Sequence, residues 1–228
     1  MPRKPSIEIP GGFFHITARA VARMTLYHDE WDYAAWLTML ERTVEAFTWR
    51  CYAYCAMPNH FHLVIETPEP TRSAGMRHLN GSYAQRYNAR YDGSGHVFQG
   101  RYDAKPIVED AHLLECCRYV VLNPVRARIC KRPEDWRWSS YRATVGIVPA
   151  PKFPSFDDVL GLFIAPNDRK RSAYARFVAD GIAESGHVQG PGPETRLRHV
   201  SPPLARALSP APALRSSGRC ATRTSPRS

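Results

Sequence analysis

The sequence has 228 residues, 43% of them hydrophobic and 11% aromatic, which supplies a core and excludes wholesale disorder. No run approaches the roughly 18 uninterrupted apolar residues of a membrane span, and the first ten residues lack the apolar stretch of a secretory signal, so a cytoplasmic protein with no membrane partner is expected. The net charge of +10 points to a polyanionic partner, and the six cysteines (Cys51, Cys55, Cys116, Cys117, Cys130 and Cys220) show neither zinc-type pairing nor the density of a disulfide scaffold.

In chain order, residues 13–18 follow Gly11 and Gly12 and have the β-branched and aromatic content of a strand. Residues 29–47 carry Leu37, Leu40, Val44 and Phe47 at helical spacing, with Glu41, Arg42 and Glu45 off that stripe. Residues 50–57 and 60–66 read as two strands of a hairpin turned by Pro58 and Asn59. Met76, Leu79, Tyr83 and Tyr87 mark a second helix, followed by a glycine-rich loop at 91–100 and a strand at 102–108. A third helix is expected over 110–123, stopped by Pro124. Short helices at 156–163 and 171–179 follow, the latter closed by Gly181.

That order predicts an α+β fold, a ferredoxin-like βαββαβ sandwich with helices on one face of an antiparallel sheet and an added C-terminal helix. Three regions are expected: a catalytic domain at 1–146, an accessory helical segment at 147–186, and a basic tail at 187–228. The tail holds seven arginines against one acid, Glu194, with seven prolines and no aromatic residue, so disorder and nonspecific attraction to nucleic acid are expected of it.

Three constellations carry possible chemistry. His60 and His62 share one face of their strand, about 7 Å apart along it, close enough for two imidazoles to converge on one ion. Two histidines alone do not distinguish a metal site from partly exposed polar residues, which are the commoner source of this pattern. On the third helix, His112, Glu115, Tyr119 and Asn123 lie opposite Leu113, Leu114, Cys117, Val120 and Val121, so Tyr119 and Asn123 address one point in space. A tyrosine so placed is either a nucleophile or a surface hydroxyl. The loop with Gly93, Gly95, Phe98, Gly100, Arg101 and Tyr102 suits close approach to a sugar-phosphate backbone and base stacking, or serves structure alone. Arg77, Arg86, Arg90, Arg101, Arg126 and Arg128 are candidate phosphate contacts. No phosphate-binding G-x-x-x-x-G-K-[ST] loop is present, so no nucleotide cofactor is expected.

The runs Met57-Pro58-Asn59-His60-Phe61-His62-Leu63, Phe98-Gln99-Gly100-Arg101-Tyr102, Arg118-Tyr119-Val120-Val121-Leu122-Asn123-Pro124-Val125-Arg126-Ala127 and Trp136-Arg137-Trp138-Ser139-Ser140-Tyr141 together closely resemble the REP-associated tyrosine transposases. These belong to the His-hydrophobe-His (HUH) single-tyrosine transposase superfamily, related to insertion-sequence transposases. The resemblance spans roughly residues 11–146. It implies a bacterial, nucleoid-associated enzyme, monomer or homodimer, that cleaves and rejoins single-stranded or hairpin-forming DNA through a 5′-phosphotyrosine. By motif, Tyr119 corresponds to the nucleophile, His60 and His62 to the metal-binding pair, and Asn123 to the residue completing the shell of a Mg2+ or Mn2+ ion. Two departures stand out. Residues 18–23 lack the expected glycine-asparagine pair, and Asp103 replaces a usual basic residue. The competing readings are a non-catalytic hairpin DNA- or RNA-binding module and a metal-dependent nuclease that uses water.

Overall fold

The computed structural model describes residues 8–184, so the 187–228 tail and the expectation attached to it lie outside the described residues. Strand β1 covers Gly12–Arg19, helix α1 Glu30–Ala46, β2 Arg50–Met57, β3 His60–Thr67, α2 Arg72–Arg90, β4 Asp103–Ile107 and α3 Asp110–Arg126. β1 pairs antiparallel with both β3 and β4, and β3 with β2, giving the sheet order β2-β3-β1-β4. This is the βαββαβ sandwich that the order of apolar patterns predicts.

The first core lies where α1 and α2 meet the sheet. Asp29 caps α1 by accepting the Asp32 backbone N–H at 3.2 Å, with Glu30 and Asp32 in the positively charged first turn. The helix then lays Trp36, Leu40 and Val44 against Phe14, Ile16 and Ala18 of β1 and Phe61, Leu63 and Ile65 of β3. α2 adds Met76, Leu79 and Tyr83, and Gly75 lets its backbone pass the Trp49 ring, which any Cβ there would strike. A fully buried side chain of this size contributes about 1.5–3 kcal/mol.

The opposite face of the sheet is covered as well, which corrects the one-faced arrangement expected from sequence. α3 packs Leu113, Leu114, Cys117, Val120 and Val121 onto Ala53, Cys55, Met57 and Val64. Helices α5 (Phe156–Gly161) and α6 (Lys170–Glu184) complete this second core with Val159, Leu160, Tyr174 and Val178. A stripe with Leu113 and Val120 on it needs an apolar partner, and the hairpin's second face provides one.

Two helix ends also differ from expectation. α3 runs through Pro124 to Arg126, because a proline in the last turn forfeits only one intrahelical bond. Gly181 lies inside α6 rather than closing it: a Cβ there would come within 2.8 Å of the Arg118 side chain and 3.1 Å of Leu122, so the glycine serves the close approach of α6 to α3.

The outer edge of β2 is strapped by residues 136–155, which include the short helix α4 (Tyr141–Thr144). The Ala56 N–H donates to the Trp138 carbonyl at 2.9 Å, the Ser140 N–H to Tyr54 at 3.0 Å and the Ser155 N–H to Cys51 at 2.7 Å. The Trp136 indole adds a bond to the Ala56 carbonyl at 3.0 Å. Among the described residues, no helix is long and apolar enough to cross a membrane.

Candidate active site

Alternation along β3 sends Phe61 and Leu63 into the first core and His60 and His62 to the α3 side. His62 is buried, 5% exposed, while His60 at the strand's start is half-buried. The β1–β3 register sets Thr17 opposite His62 and Arg19 opposite His60. The Nδ1 of His62 lies 3.0 Å from the Thr17 hydroxyl and 3.1 Å from His15 Nε2, and the His15 and His62 rings stack at 5.3 Å. His60 Nδ1 donates to Asn59 Oδ1 at 2.7 Å, which leaves its Nε2 as the nitrogen with a lone pair.

α3 brings Tyr119 over this face. Its ring stands edge-on to both imidazoles, 5.7 Å from His62 and 5.6 Å from His15 between centroids. The wheel reading, in which Tyr119 turns away from the apolar stripe, holds for the helix alone. In the fold, the ring packs at the margin of the second core. The Arg126 guanidinium, two turns further along, lies over the Tyr119 ring at 5.0 Å. Asn123 does not turn its amide nitrogen to the histidines: that nitrogen donates to the Tyr119 carbonyl at 2.9 Å.

Burial sets the charge state of the imidazoles. It lowers His60 to about 4, with help from Arg19, and His15 to about 4, with Lys105 adding to the effect. His62 falls well below the ordinary histidine value for the same reason, reinforced by His60 and His15. All three are therefore neutral at pH 7, the state a metal ligand requires.

The fit to a divalent ion rests on one atom in particular. His62 Nε2 is buried and has no hydrogen-bond partner, so one nitrogen of the pair is left with an unmet need. No group of three or more His, Cys, Asp or Glu side chains among the described residues could hold a metal. A shell built on His60 and His62 would need oxygen from an amide, phosphate or water, as a hard ion prefers.

The candidate phosphate contacts divide. All six, Arg77, Arg86, Arg90, Arg101, Arg126 and Arg128, are exposed, but not all are alike in their contacts. Arg90 is engaged with Asp29 at 2.5 Å and with buried Asp32 at 2.6 Å, which fastens the end of α2 to the start of α1. The glycine-rich loop is likewise more structural than its composition suggests. Val97 and Phe98 are buried, Phe98 bridges to Ala20, and the Val97 carbonyl accepts the Val21 N–H at 2.9 Å. Phe98 therefore fills the first core and offers no face for base stacking. Sequence reasoning missed His15 and Thr17 as site residues. Their signal was present in the alternation of β1, which puts both opposite Phe14, Ile16 and Ala18.

The profile of the family described as "Transposase IS200 like" matches residues 11–123. A protein of Haemophilus influenzae, provisionally named a REP-associated tyrosine transposase, is 24% identical over 151 residues, covering 59% of this chain and 82% of its own. A solved structure described as a REP-associated tyrosine transposase bound to a REP hairpin is 18% identical. It superposes with a TM-score of 0.54 over 66% of this chain and 89% of its own. That likeness establishes a shared fold.

Proposed function

Because the profile of the IS200-like transposase family matches residues 11–123, we propose that the protein is a divalent-metal-dependent endonuclease and strand transferase for single-stranded DNA beside a hairpin, with Tyr119 as its nucleophile. The observation that carries this reading is the approach of the Tyr119 ring to within 5.7 Å of His62, whose buried Nε2 is unpartnered. A phenol, an imidazole pair and a neighbouring guanidinium meet on one covered sheet face. The hairpin-bound protein of the same fold supports hairpin DNA as the substrate class.

His60 and His62 would hold the ion, Mg2+ or Mn2+, with the Asn123 amide oxygen completing the protein's share of the shell. When bound, it supplies polarisation of the scissile phosphodiester and a bias towards the phenolate, the more nucleophilic form of the side chain. Tyr119 Oη attacks phosphorus as its proton passes to water. The bond from phosphorus to the 3′ oxygen breaks, that oxygen takes a proton from water and leaves as the 3′-hydroxyl, and the 5′-phosphate remains esterified to Tyr119. Attack by a 3′-hydroxyl on that ester restores a DNA strand without a nucleotide triphosphate. Arg126 and Arg128 stand at the end of the same helix to receive phosphate oxygens, and Arg77, Arg86 and Arg101 extend the basic surface.

The test is mass spectrometry of denatured protein after incubation with hairpin-flanked single-stranded DNA and Mn2+. Wild type should carry a nucleotide adduct on Tyr119, and Tyr119→Phe should bind the DNA yet form none. An adduct on another residue, or cleavage by Tyr119→Phe at the wild-type rate, removes Tyr119 as nucleophile and leaves a water-based nuclease. Binding without cleavage by wild type leaves a non-catalytic module.

A further inference from the structure

We propose that His15, together with Thr17, is a positioning residue that holds His62 as its Nδ1–H tautomer and so presents the Nε2 lone pair to the metal site. The inference rests on the metal-site reading above and adds residues outside the His-hydrophobe-His motif to it. His62 Nδ1 has two neighbours at hydrogen-bond distance, Thr17 Oγ1 at 3.0 Å and His15 Nε2 at 3.1 Å, whereas His62 Nε2 is buried with none.

A neutral imidazole carries one proton, so only two arrangements exist. With the proton on Nε2, a buried N–H would lack an acceptor and no lone pair would be available to a cation. With the proton on Nδ1, the N–H is satisfied across the sheet and the lone pair points from Nε2. Buried donors without acceptors are the rarer defect, so the pairing with Thr17 and His15 selects the second arrangement.

The strand register makes this selection robust. Thr17 stands directly opposite His62, and His15 stands two residues along the same face of β1, stacked on the His62 ring at 5.3 Å. Two rigid, paired strands therefore fix the ring plane as well as the proton. Hydrogen bonding to the far nitrogen of a ligating histidine generally orients the ring and raises its basicity, and losing such a partner costs about 10- to 100-fold in metal affinity.

The experiment uses full-length, 15N-labelled protein freed of metal. Long-range 1H–15N correlation reads the His62 tautomer, and the electron paramagnetic resonance signal of free Mn2+ reads affinity. Wild type should show the Nδ1–H form. The double variant His15→Leu with Thr17→Val should lose that form and bind Mn2+ about 10- to 100-fold more weakly, while His15→Gln, which keeps an acceptor, should stay close to wild type. An Nε2–H tautomer in wild type, or an unchanged Nδ1–H tautomer in the double variant, overturns the proposal. The wild-type tautomer needs no variant, so it decides the matter even if the double variant does not fold. A His62→Gln variant separates the two levels: unchanged Mn2+ affinity there removes the metal-site reading, while the tautomer result still judges the role of His15.

Discussion

Three imidazoles packed on one sheet face make the protein's stability depend on pH. In the unfolded chain each titrates near the ordinary value of 6.5, whereas folding lowers His15 and His60 to about 4 and His62 well below its ordinary value, chiefly through burial. Between those limits the unfolded chain binds more protons than the folded one, so acid favours unfolding. The stability from keeping these rings neutral is fully present above pH 6.5 and is lost as pH falls towards about 4. Urea unfolding in the presence of a chelator should therefore show a midpoint that drops between pH 7 and pH 5. His62→Gln should flatten that dependence. A wild-type midpoint that is level across this range would mean that the rings are hydrated in solution.

At the scale of elements, the turn after β1 stores backbone strain. Ala22 and Arg23 have φ of 49° and 57°, the left-handed region that costs a residue with a Cβ about 1–2 kcal/mol. The family resemblance implies a glycine-asparagine pair in this stretch, and the strained dihedrals give that expectation a physical reason. Arg23→Gly should raise stability by about 0.5–1 kcal/mol, since relief of strain exceeds the entropy a glycine adds to the unfolded chain. Thermal or urea unfolding checks this; a lower stability would show that the Arg23 side chain supports the turn. Much of the fold was legible because its signals are local. Alternation gave β2 and β3, and three-four spacing gave α1 and α3, which together placed His60, His62 and Tyr119. What stayed hidden depends on partners distant in sequence. The pairing of Thr17 with His62 is a matter of register, the ties of Arg90 to Asp29 and Asp32 join two helices, and the burial of Phe98 follows from a bridge to Ala20. Composition alone made Arg90 and Phe98 look like DNA contacts.

At the scale of the whole molecule, the part matched by the transposase family stops at residue 123, yet the sheet is not closed there. Strand β2 reads Arg50-Cys51-Tyr52-Ala53-Tyr54-Cys55-Ala56-Met57, a sequence rich in aromatic and apolar residues, and its seven last residues are buried. The backbone groups along its outer edge are occupied by Trp138, Ser140 and Ser155. A chain ending at residue 136 would lose that strap together with Val159, Leu160, Tyr174 and Val178 of the second core. It would present a sticky, nearly uncharged strand edge of the kind that recruits further strands in amyloid-like growth. Such a fragment should sediment as high-order aggregates while the full chain does not, and a monodisperse fragment by analytical ultracentrifugation would contradict this. The strap thus guards solubility as well as shape: removal of the residues after 136 by proteolysis would convert a self-contained sheet into a seed for self-association.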